Sequence, residues 1–271
     1  MRMLSCGDAE GKRVIYFHGA PGAPEECLLF AGQGKADGLN VLCPDRFAAA
    51  TALRGEAYFR ALAAEILASA GTAKVHLVGF SLGAFVALQT SRYLPGQVAS
   101  LDLISAAAPL EGGDFLPGMA GGAVFRLARR WPWAFRLLSG WQAVLARLAP
   151  SLLFGMLFAT ARAGDLALRT DPQFRQDITE HLRKCFALRL GGYMRDLCSY
   201  VQPWADSLAT VTAVSRIWHG TEDNWSPCGM AEYLAVALPA CRQVTLMPGL
   251  SHYSCLLQAM PQVCAAIRDT P

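Results

Sequence analysis

The chain has 271 residues, 53% of them hydrophobic and 17% charged, which suits a large buried core and excludes a disordered polymer. Its formal net charge of +3 is too small to point to nucleic acid as a partner. Nine cysteines, an odd number with no C-x-x-C pair, predict reduced thiols in a cytoplasm rather than a disulfide framework or a zinc site.

Residues 1–12 hold Asp8 and Glu10 and no apolar run, so no secretory leader is expected there. Residues 14–17 form a short apolar run that stops at His18-Gly19 and reads as a buried strand. A second strand is expected over 40–43, ending at Pro44-Asp45-Arg46. Helical spacing of Phe59, Leu62 and Ile66 predicts a helix over 55–70, closed by Gly71. Strand 75–79, helix 82–94 and strand 98–105 follow. This alternation implies a parallel sheet with helices on both faces.

The rhythm breaks between about 109 and 209, where the pattern is helical throughout. Helices are expected over 120–128, 134–148, 152–161, 174–188 and 193–201. Strand 215–218, helix 228–238, strand 243–247 and helix 254–267 then restore the alternation. A mean hydropathy of +0.28 invites a membrane reading. However, the uncharged stretch 243–267 is broken by Pro248, Gly249, His252 and Pro261, and the run 148–161 is too short to cross a bilayer. No membrane span is expected.

Gly79-Phe80-Ser81-Leu82-Gly83 is a G-x-S-x-G pentapeptide between a strand and a helix. A sharp turn there exposes the Ser81 hydroxyl, and small residues two before and two after it relieve crowding. The N–H of Leu82 then faces the reacting carbonyl from a helix N-terminus. A serine needs a base, and His252, in a loop after the last strand, suits that at neutral pH. Asp223, in His219-Gly220-Thr221-Glu222-Asp223, would orient the imidazole. Asp114, shortly after strand 98–105, is the competing acid. His18-Gly19-Ala20-Pro21-Gly22 follows the first strong strand, and the Ala20 N–H would join that of Leu82 in binding an oxyanion. His18 itself reads as structural.

These elements together resemble the α/β-hydrolase superfamily, and the resemblance runs over essentially the whole chain. It implies a three-layer α/β-hydrolase fold with a mostly parallel sheet, a core of residues 1–108 and 210–271, and a helical cap inserted at 109–209. Pro44-Asp45-Arg46 also resembles a family motif, but Phe47-Ala48-Ala49-Ala50 replaces the glycine-rich turn usual after it. The short N-terminus leaves little room for the family's first hairpin. The implied reaction is hydrolysis of a small carboxylic ester through an acyl-enzyme, with Ser81, Asp223 and His252 as triad and no metal or organic cofactor. Thioester, C–C bond and cofactor-free peroxide chemistry run on the same machinery, and the fold does not select among them. A ligand-binding protein on this scaffold is the alternative from another class, and it would have no need to keep every one of these residues.

Other motifs carry less. Gly32-Gln33-Gly34-Lys35 lacks the remaining residues of a phosphate loop, with Leu29 and Ala36 at the deciding positions, and reads as a helix end and turn. The five histidines show no metal-binding spacing. Phe125, Trp131, Trp133, Phe135 and Trp141 read mostly as the cap's own core, with the lining of a substrate pocket as the alternative. Residues 110–200 carry eleven Arg and one Lys against seven acids, which reads as a solvated face or as attraction for anionic substrates. The expected partner is a small molecule, and a homodimer is compatible with all of this.

Overall fold

The computed structural model describes residues 1–49 and 52–270. Its sheet consists of β1 (Met3–Gly7), β2 (Lys12–Phe17), β3 (Leu39–Pro44), β4 (Val75–Phe80), β5 (Val98–Ile104), β6 (Ser215–Gly220) and β7 (Cys241–Met247). They lie in the order β1-β3-β2-β4-β5-β6-β7, and only β1 runs antiparallel to its neighbour. A parallel sheet covered on both faces selects continuous apolar runs over alternation. All six residues of β4 are accordingly buried. The edge strand β1 has no such run and is only partly buried, which is why residues 1–12 gave no strand signal. β1 and β2 are adjacent in sequence yet separated by β3, so these two strands do not pair as a hairpin.

The helices are α1 (Ala31–Ala36), α2 (Gly55–Ala70), α3 (Leu82–Ser91), α4 (Gly122–Arg130), α5 (Pro132–Leu148), α6 (Pro150–Leu157), α7 (Gly164–Thr170), α8 (Pro172–Leu182), α9 (Leu190–Tyr200), α10 (Gly229–Ala237) and α11 (His252–Arg268). α4 to α9 all fall between β5 and β6. Residues 32–35 lie inside α1 rather than at a helix end. The single helix expected over 174–188 is divided into α8 and a π-helical turn, Arg183–Leu188. The carboxyl ends of the parallel strands β2, β4, β6 and β7 lead directly into the segments holding Ala20, Ser81, Asp223 and His252, so these four segments gather at one end of the sheet.

Candidate active site

Ser81 stands between β4 and α3 with φ 55° and ψ −126°. That region is costly for a residue with a Cβ and persists only where its surroundings hold it. They do so here: the Ser81 N–H donates to the Ile104 carbonyl at 3.0 Å, and the Ser81 carbonyl accepts from Ala84 at 3.0 Å and Ala107 at 3.2 Å. The flanking glycines are required by space. A Cβ on Gly83 would collide with the carbonyl oxygens of Phe17 and His18, and one on Gly79 would meet the backbone of Ala84.

His252 is the first residue of α11 rather than part of the preceding loop, and its side chain is buried. Its Nδ1–H donates to Asp223 Oδ2 at 2.8 Å. Asp223 Oδ1 accepts from the N–H groups of Trp225 at 2.8 Å and Ser226 at 2.9 Å. Burial alone would raise the Asp223 pKa, but the charge and hydrogen bond of His252, with His219 and the Ser226 N–H, hold it below the usual carboxylate range. A permanent carboxylate at Nδ1 fixes the tautomer and leaves Nε2 as the ring atom able to exchange a proton. Asp114, by contrast, is exposed and makes no hydrogen bond to His252.

The imidazole is also wedged by rings: Trp225 stacks on it at 5.5 Å and 15°, and Phe80 packs at 4.8 Å. No hydrogen bond joins Ser81 to His252 among the described residues; Phe80 is the element of the turn that touches the ring. Asp165, fully buried on α7, accepts from the N–H groups of Tyr253 at 3.2 Å and Ser254 at 2.7 Å, so the helical insertion caps the helix that begins with His252. Neither Trp225 nor Asp165 carries a motif that would have marked it in the sequence.

Ala20, Ser81 and Leu82 line one cavity of about 80 Å³. Neither the Ala20 nor the Leu82 N–H donates to a protein acceptor among the described residues. The loop before Ala20 is rigidly held. The Gly19 N–H donates to Glu26 Oε1 at 2.9 Å, which also accepts from the Tyr16 hydroxyl at 2.7 Å. The Gly19 carbonyl accepts from His18 Nδ1 at 2.7 Å and Arg46 Nη2 at 3.4 Å. Burial, ahead of the nearby Arg46 charge, pushes the His18 pKa far down, so it is a neutral structural ring. Phe47 packs edge-on against that ring at 4.7 Å, while Ala50 of the departed motif lies outside the described residues.

The far wall of the cavity comes from the helical insertion: Val124 and Phe125, Leu157, Phe186 and Leu197 are apolar, and Gln142 contributes an amide whose Oε1 is buried with no partner among the described residues. Of the aromatic set, Phe125 therefore faces the cavity and Phe135 is core. Trp131, Trp133 and Trp141 are exposed, against the expectation that the set is mostly interior. Among the described residues no group of three or more His, Cys, Asp or Glu is placed to hold a metal ion, and no helix is long and apolar enough to cross a membrane.

A family model, Alpha/beta hydrolase family, matches residues 14–267. No curated protein matches the chain significantly. Among solved structures, a thermophilic esterase from Thermogutta terrifontis superposes with a TM-score of 0.67 at 21% identity, covering 99% of this chain and 91% of the other. A bromoperoxidase from Bacillus anthracis gives 0.69 at 17%, covering 98% and 93%. An esterase from Exiguobacterium antarcticum gives 0.67 at 17%, covering 98% and 94%. At such identities these likenesses speak to the fold.

Proposed function

Because this chain belongs to the alpha/beta hydrolase family, we propose that it is a serine hydrolase acting on a small carboxylic ester through an acyl-enzyme. The observation that carries this reading is the Asp223–His252 hydrogen bond of 2.8 Å beside a cavity that holds Ser81 and two backbone N–H groups with no acceptor among the described residues.

Ser81 Oγ attacks the ester carbonyl carbon while His252 Nε2 takes its proton. The carbonyl oxygen becomes an anion held by the N–H groups of Ala20 and Leu82. Collapse of that intermediate breaks the ester C–O bond, and the proton on His252 passes to the departing alcohol. Water repeats the sequence on the acyl-Ser81, and the acid leaves. Asp223 stays ionised and stabilises the imidazolium at each stage.

Residues 109–209 serve in this reading as a cap over a core of residues 1–108 and 210–271, and the apolar wall they supply selects substrate by shape. The cavity is roughly half the ~150 Å³ engineered void that accepts benzene, which favours short acyl groups. All nine cysteines are free, which supports a reducing compartment such as the cytoplasm. A panel of p-nitrophenyl esters graded by acyl length tests the reading: kcat/KM should peak at the shortest chains and fall steeply once the acyl group outgrows the cavity. Absence of turnover on every member would reject it.

A further inference from the structure

The outer face of α5 carries a band of apolar side chains that neither the core nor the cavity uses. Trp133, Leu137, Trp141, Val144 and Leu148 are spaced by three and four residues, and at ~100° per residue they fall within about 80° of the helix circumference. Their exposures run from 48% to 80%. The opposite face, with Phe135, Ser139, Ala143 and Ala146, is buried. A helix covered on one side only is ordinarily polar on the other; this one is apolar on both. Leu152 and Met156 on α6 are exposed as well.

The charge along this stretch of the chain is one-sided. Residues 115–164 contain six arginines and no Asp, Glu or Lys. Arg129, Arg130 and Arg136 are exposed, and none forms an ion pair among the described residues. We propose that this face docks on an anionic lipid surface, with the tryptophans and leucines seated at headgroup depth and the arginines against lipid phosphates. Tryptophan suits a boundary where one side is apolar and the other wet. Apolar residues with flanking cations are the pattern of helices that lie in a bilayer interface. A second copy of the chain fits less well, because a two-fold contact through this face would oppose two sets of arginines, and residues 115–164 supply no acid to offset them. α5 also lines the cavity through Gln142 on its inner side, so docking would set the cavity about one helix diameter, ~10 Å, from the lipid.

Vesicle flotation of the whole chain tests this without reference to any turnover, so it stands or falls separately from the proposed reaction. Vesicles of phosphatidylcholine alone are compared with equal parts phosphatidylcholine and phosphatidylglycerol, at low and high salt. The chain should bind the anionic vesicles, bind the neutral ones weakly, and be released as salt rises. The triple variant Arg129→Gln, Arg130→Gln, Arg136→Gln should lose about a hundredfold in partitioning to anionic vesicles, at roughly fivefold per arginine. The triple variant Trp133→Ser, Leu137→Ser, Trp141→Ser should lose binding to both. All six positions are exposed, and both variants should keep the wild-type melting temperature. No flotation with either vesicle, or flotation unchanged by the Trp133, Leu137 and Trp141 substitutions, would overturn the proposal. So would a concentration-dependent dimer that those substitutions abolish in a chain that ignores vesicles, since the face would then belong to a second copy.

Discussion

Arg46 and Asp196, 150 positions apart, meet in an ion pair of 2.8 Å with neither side chain exposed. Arg46 follows β3, and Asp196 lies on α9, so the pair ties the helical insertion to the sheet. Arg195 adds a contact to Asp196 at 3.0 Å, donates to the Arg46 carbonyl at 2.8 Å and lies over the Tyr58 ring at 3.6 Å. Arg46 also reaches the Gly19 carbonyl. A planar trans peptide directs its N–H away from its C=O, so anchoring that carbonyl sets the direction of the Ala20 N–H.

Removing the shared carboxylate leaves two buried guanidiniums without a counter-charge. Asp196→Asn should cost about 3 to 5 kcal/mol in urea unfolding. Glu56→Gln breaks the exposed Arg60–Glu56 pair of 3.4 Å and should cost no more than ~1 kcal/mol. Equal effects from the two changes would mean that the buried pair is not what holds the insertion in place.

Asp223→Asn should lower kcat by about 10⁴, the loss known for an orienting carboxylate in a triad. Asp114→Asn, at an exposed position with no bond to His252, should leave kcat near wild type. Steady-state kinetics on one short ester decide between them, and a crippled Asp114→Asn beside an active Asp223→Asn would reverse the assignment.

Stability should fall with acid. His18, His76, His181 and His219 are buried, and burial, the leading cause for each, lowers their pKa. Below the ordinary histidine value the unfolded chain binds protons that the folded chain refuses, so stability is whole above that value and drains as pH drops. For His76, held down to about 4 from 6.5 by burial, then by Lys12 and Arg216, the loss is on the order of 3 kcal/mol across that range. Urea midpoints across this range check it, and His76→Gln should flatten part of the slope. A midpoint independent of pH there would contradict the burial argument.

Much of this was legible from residue order because buried parallel strands leave continuous apolar runs. The strands expected at 14–17, 75–79 and 243–247 all fall within β2, β4 and β7. The placement of Ser81, Asp223 and His252 at one end of the sheet was legible because a strained turn needs Gly79 and Gly83, and because the other two follow late strands. β1 was not, since an edge strand with a single partner needs no apolar run. The exposure of Trp131, Trp133 and Trp141 was hidden too. Helical spacing marks a stripe without saying whether it faces inward, and α5 carries two such stripes. Asp165 acts on α11 across the fold, a relation only tertiary structure reveals.

Shape rather than charge should govern substrate choice. Arg129→Gln with Arg130→Gln should leave kcat/KM for neutral esters unchanged, since neither residue lines the cavity. A loss confined to anionic esters and shrinking with salt would instead reveal electrostatic steering, because exposed charges are screened over about 10 Å at ~0.1 M.

The most direct test of Ser81 as nucleophile is covalent. An activated serine oxygen attacks the phosphorus of a fluorophosphonate, forming a P–O bond as the P–F bond breaks and fluoride leaves, which gives a stable phosphonyl adduct. Incubation followed by peptide mapping should find one adduct per chain, on Ser81, and none in Ser81→Ala, which should also have no esterase activity. An adduct on another residue, or full turnover by Ser81→Ala, would contradict the claim that Ser81 is the nucleophile.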